Sequence, residues 1–222
     1  MAEYELNDEA IELIVLIHRI FSDSSELPYG VDVAYLVGET EDNQDSVFLT
    51  GMNLMKSKNP FGFSVGWLGI SNGPTGHGYP GFTAWKKELL QYSGIEDRMI
   101  LSIPYHGGEQ FNTYTEAKEF IRNAKERRWT SACITAALFH HVRAFITFVS
   151  IALVEYPEIS LYSVPGAVLE WGEFVRHSQG LQMGMRIDIL RDEMKKLYRY
   201  YHETKSLVPV REILAYFERR DR

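Results

Sequence analysis

His140 and Arg143 stand three residues apart in the stretch FHHVRAF, residues 139–145, directly after the apolar run ACITAAL. On a helix that spacing puts both side chains on one face and turns His141 away by about 100°. A guanidinium is a planar fork that fits a phosphate or carboxylate, and an imidazole moves protons near neutral pH. The pair therefore reads as an anion clamp with an acid–base group beside it. The competing reading is a histidine satisfied by a backbone carbonyl and an arginine held in a structural ion pair.

Three further stretches carry residues of the right kinds. Glu39, Thr40, Glu41, Asp42, Asn43, Gln44 and Asp45 follow an apolar run. Carboxylates so grouped could hold a divalent cation or hydrogen-bond a ribose, or they could simply complement the dipole of a following helix. Residues 70–82, ISNGPTGHGYPGF, hold four glycines and two prolines. Such a backbone can approach a ligand closely or merely turn sharply. The spacing is neither a Walker motif nor GxGxxG, and Ser71 lacks the GxSxG setting of a hydrolase nucleophile. His77 sits in this loop. Residues 104–117, PYHGGEQFNTYTEA, hold His106 and Glu109 as candidate acid or base groups. Thr113 and Glu116 have the spacing of a capping box, which accounts for both as helix-start residues. Asn112 and the unpaired N–H groups beside it make a favourable place for an anion. No His, Cys, Asp or Glu spacing is diagnostic of a metal, so no metal ligand is assigned.

Secondary structure must bring these stretches together. Asn7 can cap a helix that carries Asp8 and Glu9 in its first turn and Leu13, Ile14, Ile17, Ile20 and Phe21 on its apolar face. VDVAYLV, residues 31–37, is β-branched and aromatic, as a buried strand is. Further strands are expected near 64–71, 99–103, 131–137 and 159–164, with helices near 45–57, 82–93, 113–128 and 140–154. Alternation at these lengths implies βαβ crossovers. The expected fold is a doubly wound, Rossmann-like α/β domain: a mainly parallel five-stranded sheet with helices on both faces. Ligands bind such sheets beyond the carboxyl ends of the strands, where all the stretches above fall. The domain spans residues 1–166. Residues 167–222 read as a helical extension packed on it, with two or three helices, the last starting near Pro209.

At 222 residues the chain is long enough for one substantial core. Its net charge of −7 disfavours binding to a nucleic-acid backbone. The basic ending ERRDR, interrupted by acids, reads as a solvated tail. A single cysteine, Cys133, cannot close an internal disulfide, and a reducing cytoplasm fits it. The acidic start is unlike a signal peptide, and the greasy segments 11–17 and 144–154 fall short of the ~20 residues of a membrane span. Both read as core helices.

The order VDVAYLVG, ISNG, GIEDRMI, FNTYTEA, FHHVRAF and YSVPG resembles the YdcF, SanA and ElyC family, a domain of unknown function, over about residues 30–166. Ser71, Asn72 and Gly73 are similar to the family's Ser-Gly-Gly turn. Asn112 and Thr113 are similar to its Asn-Thr pair, and His140, Arg143 and Ala144 to its His-x-x-Arg-Ala. The resemblance implies a Rossmann-like fold and a nucleotide-type ligand such as S-adenosylmethionine. It departs from the family at Glu39, Thr40 and Glu41, where a glycine-rich turn is usual. It departs again at Gly81 and Phe82, where an acidic residue is usual, and at Thr115 and Glu116, where Glu-Asn is usual. The lack of a membrane anchor makes the chain look like a soluble, YdcF-like member.

The expected function is binding of a small anionic or nucleotide-like molecule at the carboxyl ends of the sheet. In the catalytic form, a hydrolase or transferase, His140 moves a proton and Arg143 holds the anion. Glu39, Ser71, Asn72, Gly73, Asn112 and Thr113 contribute to binding. The alternative is a non-catalytic nucleotide or S-adenosylmethionine binding module. Oligomeric state is not legible.

Overall fold

The computed structural model describes residues 7–56, 64–76, 78–108, 111–177, 182–204 and 206–222. Five parallel strands make the central sheet: β1 (Gly30–Leu36), β2 (Ser64–Ser71), β3 (Ile100–Ile103), β4 (Ser131–Thr135) and β5 (Ser160–Ser163). They lie in the order β3-β2-β1-β4-β5, all neighbours parallel. Helix α1 (Asp8–Ser22) precedes the sheet, and the crossovers carry α2 (Gln44–Met55), α3 (Phe82–Ser93), α4 (Thr113–Arg127) and α5 (Leu138–Glu155). This is the Rossmann-like architecture expected, with the order reversing between β1 and β4. A crevice opens at such a reversal because consecutive crossovers leave to opposite faces.

Burial on both faces explains the unbroken apolar runs. Val33 and Tyr35 of β1 pack with Phe120, Phe145 and Phe148 of α4 and α5, while Ala34 and Leu36 pack with Val47, Phe48, Trp85 and Leu89 of α2 and α3. Asp32 fixes the register of β1 on β4: its Oδ2 accepts the N–H groups of Thr130 and Ser131 at 2.8 and 3.0 Å. Helix α5 is long and apolar enough by composition to cross a bilayer, yet 78% of it is buried inside the fold. It is the central core helix, in contact with α4, α1 and the C-terminal helices.

The region after residue 166 departs from an all-helical reading. It opens with an antiparallel pair, β6 (Phe174–His177) and β7 (Gln182–Met185), then continues as α6 (Arg186–Arg199), a π-helical turn (Tyr200–Thr204) and α7 (Val210–Arg220). Four-residue strands bearing Arg176, His177 and Gln182 carry too little apolar alternation to announce themselves. The basic ending is no solvated tail either. The Arg220 side chain is 1% exposed and pairs with the fully buried Asp23, whose Oδ2 also accepts Ser163 N–H at 2.6 Å. Arg220 Nη1 donates to Leu161 O at 2.6 Å, so the last helix is clamped to the edge strand β5.

Candidate functional site

A cavity of about 690 Å³ opens beyond the carboxyl ends of the strands. Its floor is a chain of hydrogen bonds across three crossover loops. Glu39 lies just after β1, Thr113 is the first residue of α4, and His140 and Arg143 lie in the first two turns of α5. Glu39 Oε1 is 2.9 Å from His140 Nδ1 and accepts Ala137 N–H at 3.1 Å. His140 Nε2 is 3.1 Å from Thr113 Oγ1, which also accepts Arg143 Nη1–H at 3.0 Å.

With Glu39 ionised, the donors assign the proton positions. A guanidinium only donates, so Thr113 Oγ1 accepts from Arg143 and directs its own proton at His140 Nε2. An ionised Glu39 only accepts, so the imidazole proton sits on Nδ1 and Nε2 is a lone-pair acceptor. The result is a carboxylate–imidazole–hydroxyl relay, the arrangement that activates a hydroxyl in serine hydrolases.

Burial sets the charges. It is the main influence pushing His140 down to about 3, with Arg143 and Lys196 acting the same way, so the imidazole is neutral. Burial likewise lifts Glu39 to about 7, against the opposing pull of His177, Ala137 N–H and Arg143. Glu116 is lifted by burial to about 8, although its Oε1 accepts Gly38 N–H at 2.8 Å and the Tyr35 hydroxyl at 2.9 Å. Glu193 goes the other way. Burial alone would raise it, but Arg143 and the His177 hydrogen bond outweigh that and hold it well below the ordinary range. It accepts Arg143 Nε–H at 2.5 Å, Lys196 Nζ–H at 2.8 Å and lies 3.1 Å from His177 Nε2.

Of the residues singled out in the sequence, Glu39, Asn112, Thr113, His140 and Arg143 all line this cavity. Asn112 does so as the N-cap of α4: its Oδ1 accepts Thr115 N–H at 3.0 Å. The capping box is therefore Asn112 with Thr115, one residue earlier than the Thr113 and Glu116 spacing implied. Both Thr113 and Glu116 are thereby released from capping and line the cavity.

Ser71, Asn72 and Gly73 stand apart from the cavity lining. Tyr79 and Phe111 stack at 4.7 Å between rings, and both line the cavity. The Tyr79 hydroxyl donates to Ser71 O at 2.7 Å, and a Cβ on Gly73 would meet the Phe111 ring at 2.6 Å. The turn thus supports the aromatic wall from behind. Gly73 is needed for this close approach. In the acidic loop, Asp42 turns outward to Arg176, whose backbone N–H it accepts at 2.7 Å, and Asn43 Oδ1 accepts Arg186 Nε–H at 3.1 Å. Among the described residues no group of three metal-ligating side chains converges. His141 is fully buried away from the cavity, 2.7 Å from Ser163 Oγ, and His106 is exposed outside it. His77 and Glu109 lie outside the described residues.

Sequence reasoning missed the contribution of the C-terminal extension. His177, Lys196 and Tyr200 line the cavity, and Glu193 organises Arg143 from the next turn of α6. A weak signal existed: Glu193 and Lys196 are three apart and so share a face of the helix. No family model, curated protein or solved structure matches the chain.

Proposed function

We propose that the chain is a YdcF-like hydrolase or transferase acting on a small anionic or nucleotide-like molecule bound at the carboxyl ends of the sheet. The observation that carries this reading is the meeting of His140 and Arg143 on the Thr113 hydroxyl inside one cavity. The imidazole is neutral and its Nε2 lone pair is the group placed to take a proton, as a base weakened by burial and oriented by the Glu39 carboxylate at Nδ1. Arg143 Nη2 has no partner among the described residues, which leaves a donor for an anionic group. Burial excludes water and strengthens both interactions.

A second reading, a nucleotide or S-adenosylmethionine binding module without chemistry, is favoured by one feature. Arg143 is already neutralised by Glu193, and the aromatic rings of Phe111, Tyr114 and Tyr200 suit a stacked base. A thermal-shift screen of nucleotides, S-adenosylmethionine and small phosphate and carboxylate esters separates the two. A stabilising compound that is consumed supports catalysis; one recovered unchanged supports binding alone. His140→Ala is expected to abolish turnover while sparing binding, and Arg143→Ala to weaken anion binding. Wild-type behaviour of both variants toward every stabilising compound would overturn the assignment.

A further inference from the structure

Resting on the catalytic reading above, we propose that Thr113 Oγ1 is the nucleophile of an acyl-transfer reaction. Its substrate would be a carboxylic ester bearing one anionic group, and the intermediate an acyl-threonine. Three independent features of the site converge on this residue.

The first is the relay itself. Thr113 Oγ1 lies 3.1 Å from His140 Nε2 and, with Glu39 ionised and holding the opposite ring nitrogen at 2.9 Å, the hydroxyl is the donor of that pair. The second is position. Thr113 opens α4, so the N–H groups of Thr113 and Tyr114 have no acceptor within the helix, and both residues line the cavity. Donors at a helix start beside an attacking hydroxyl are suited to the oxyanion of a tetrahedral intermediate. The third is charge. Two cations that line the cavity, Arg143 and Lys196, both pair with the ionised Glu193, while burial keeps Glu116 protonated at neutral pH. At most about one net positive charge is left, which suits one anionic substituent and not a dianionic phosphoryl group, whereas a carbonyl developing one negative charge needs only the backbone donors. The walls of Phe111, Tyr114 and Leu207 accept the apolar part of an acyl or alcohol group.

In the first step the Thr113 hydroxyl oxygen bonds to the carbonyl carbon as its proton passes to His140 Nε2, and the carbonyl π pair moves onto oxygen. Collapse of the intermediate breaks the carbon–oxygen bond to the alcohol. The leaving alkoxide takes the proton from Nε2. Water then attacks the acyl-threonine, giving one proton to Nε2, and collapse releases the carboxylic acid while Thr113 recovers that proton. The sum is ester plus water to acid plus alcohol.

The test uses p-nitrophenyl hemisuccinate, which carries a carboxylate, and p-nitrophenyl butyrate. Release of p-nitrophenol and the mass of quenched intact protein are followed, with peptide mapping of any adduct. The expected result is saturable turnover, a mass gain of one acyl group mapped to Thr113, loss of both by at least about 100-fold in Thr113→Val, and retention in Thr113→Ser. Fluorophosphonate labelling of the wild-type protein gives a check that needs no variant, and its label is expected on Thr113. An adduct mapped elsewhere, or Thr113→Val turning over like wild type, overturns the nucleophile assignment. If His140→Ala is then inactive, the catalytic reading of the cavity survives that loss. Absence of turnover, adduct and thermal stabilisation with both esters counts against the nucleophile and the catalytic reading together.

Discussion

Replacing Glu116 by glutamine should stabilise the protein in alkaline solution. The carboxyl is 2% exposed and is raised to about 8 from an ordinary value of 4.5. Between those two values the unfolded chain has released the proton while the folded chain still holds it. For an acid whose folded pKa is raised, stability therefore falls as pH climbs through this window and levels off above it. Each pH unit costs about 1.4 kcal/mol, so the whole window costs on the order of 4–5 kcal/mol. Glutamine keeps an Oε1 that can accept from Gly38 N–H and the Tyr35 hydroxyl, and it cannot ionise. Its extra amide protons cost about 1 kcal/mol, visible near pH 5. Urea denaturation of both proteins at pH values from 5 to 9 checks this. The difference should start near zero or slightly unfavourable, then grow in favour of Glu116→Gln up to about pH 8. Parallel stability curves across that range would show that Glu116 is not held protonated by burial, and would refute the account.

Glu39 governs the pH dependence of any turnover. Its carboxyl titrates near 7 and faces His140, His177, Glu193, Arg143 and Glu116. Protonation would turn it from acceptor to donor toward His140 Nδ1 and move the ring proton to Nε2, the wrong tautomer; the rate should rise as pH increases through 7. Glu39→Gln should remove that limb and lower kcat by about 10³–10⁴-fold with little change in ligand binding, measured by pH–rate profiles and titration of binding. Glu193→Ala should cost about 3–5 kcal/mol, or about 6–20 °C in Tm, because it strands Arg143 in a buried site. Since Glu193 is held well below its ordinary range, the gap to wild type should narrow as pH falls through its folded pKa, which acid-titrated calorimetry would show. Arg220→Ala should cost about 1–3 kcal/mol by leaving the buried Asp23 to Arg19 and Ser163 N–H, and adding Asp23→Ala should restore part of the loss in denaturant melts.

Much of the frame was legible in the sequence because it rests on local chemistry. The run at 31–37 reads as a buried strand, Asn7 caps α1 through Ala10 N–H as its position implied, and alternation of strands and helices implies a largely parallel sheet. The same logic placed Glu39, Asn112, Thr113, His140 and Arg143 at strand ends, and parallel pairing carries those ends to one edge. The capping error at Thr113 and Glu116 was one of phase: Asn, like Ser or Thr, caps well, and the string FNTYTEA permits either register.

The sequence by itself determined the parallel sheet and the edge of it where the chemistry-bearing residues gather, since periodicity and helix-start chemistry act over a few residues. Only the tertiary structure decided which of those residues touch. Glu39 and His140 are 101 positions apart, and Arg143 and Glu193 are 50 apart. Their protonation states follow from burial that no single segment possesses. The aromatic pair Tyr79 and Phe111, closing over Gly73, keeps the Ser71 turn out of the cavity, and α6 folding back on α5 brings in Glu193 and Lys196. Such contacts come from how elements pack on one another, a property written in the whole chain and in none of its parts.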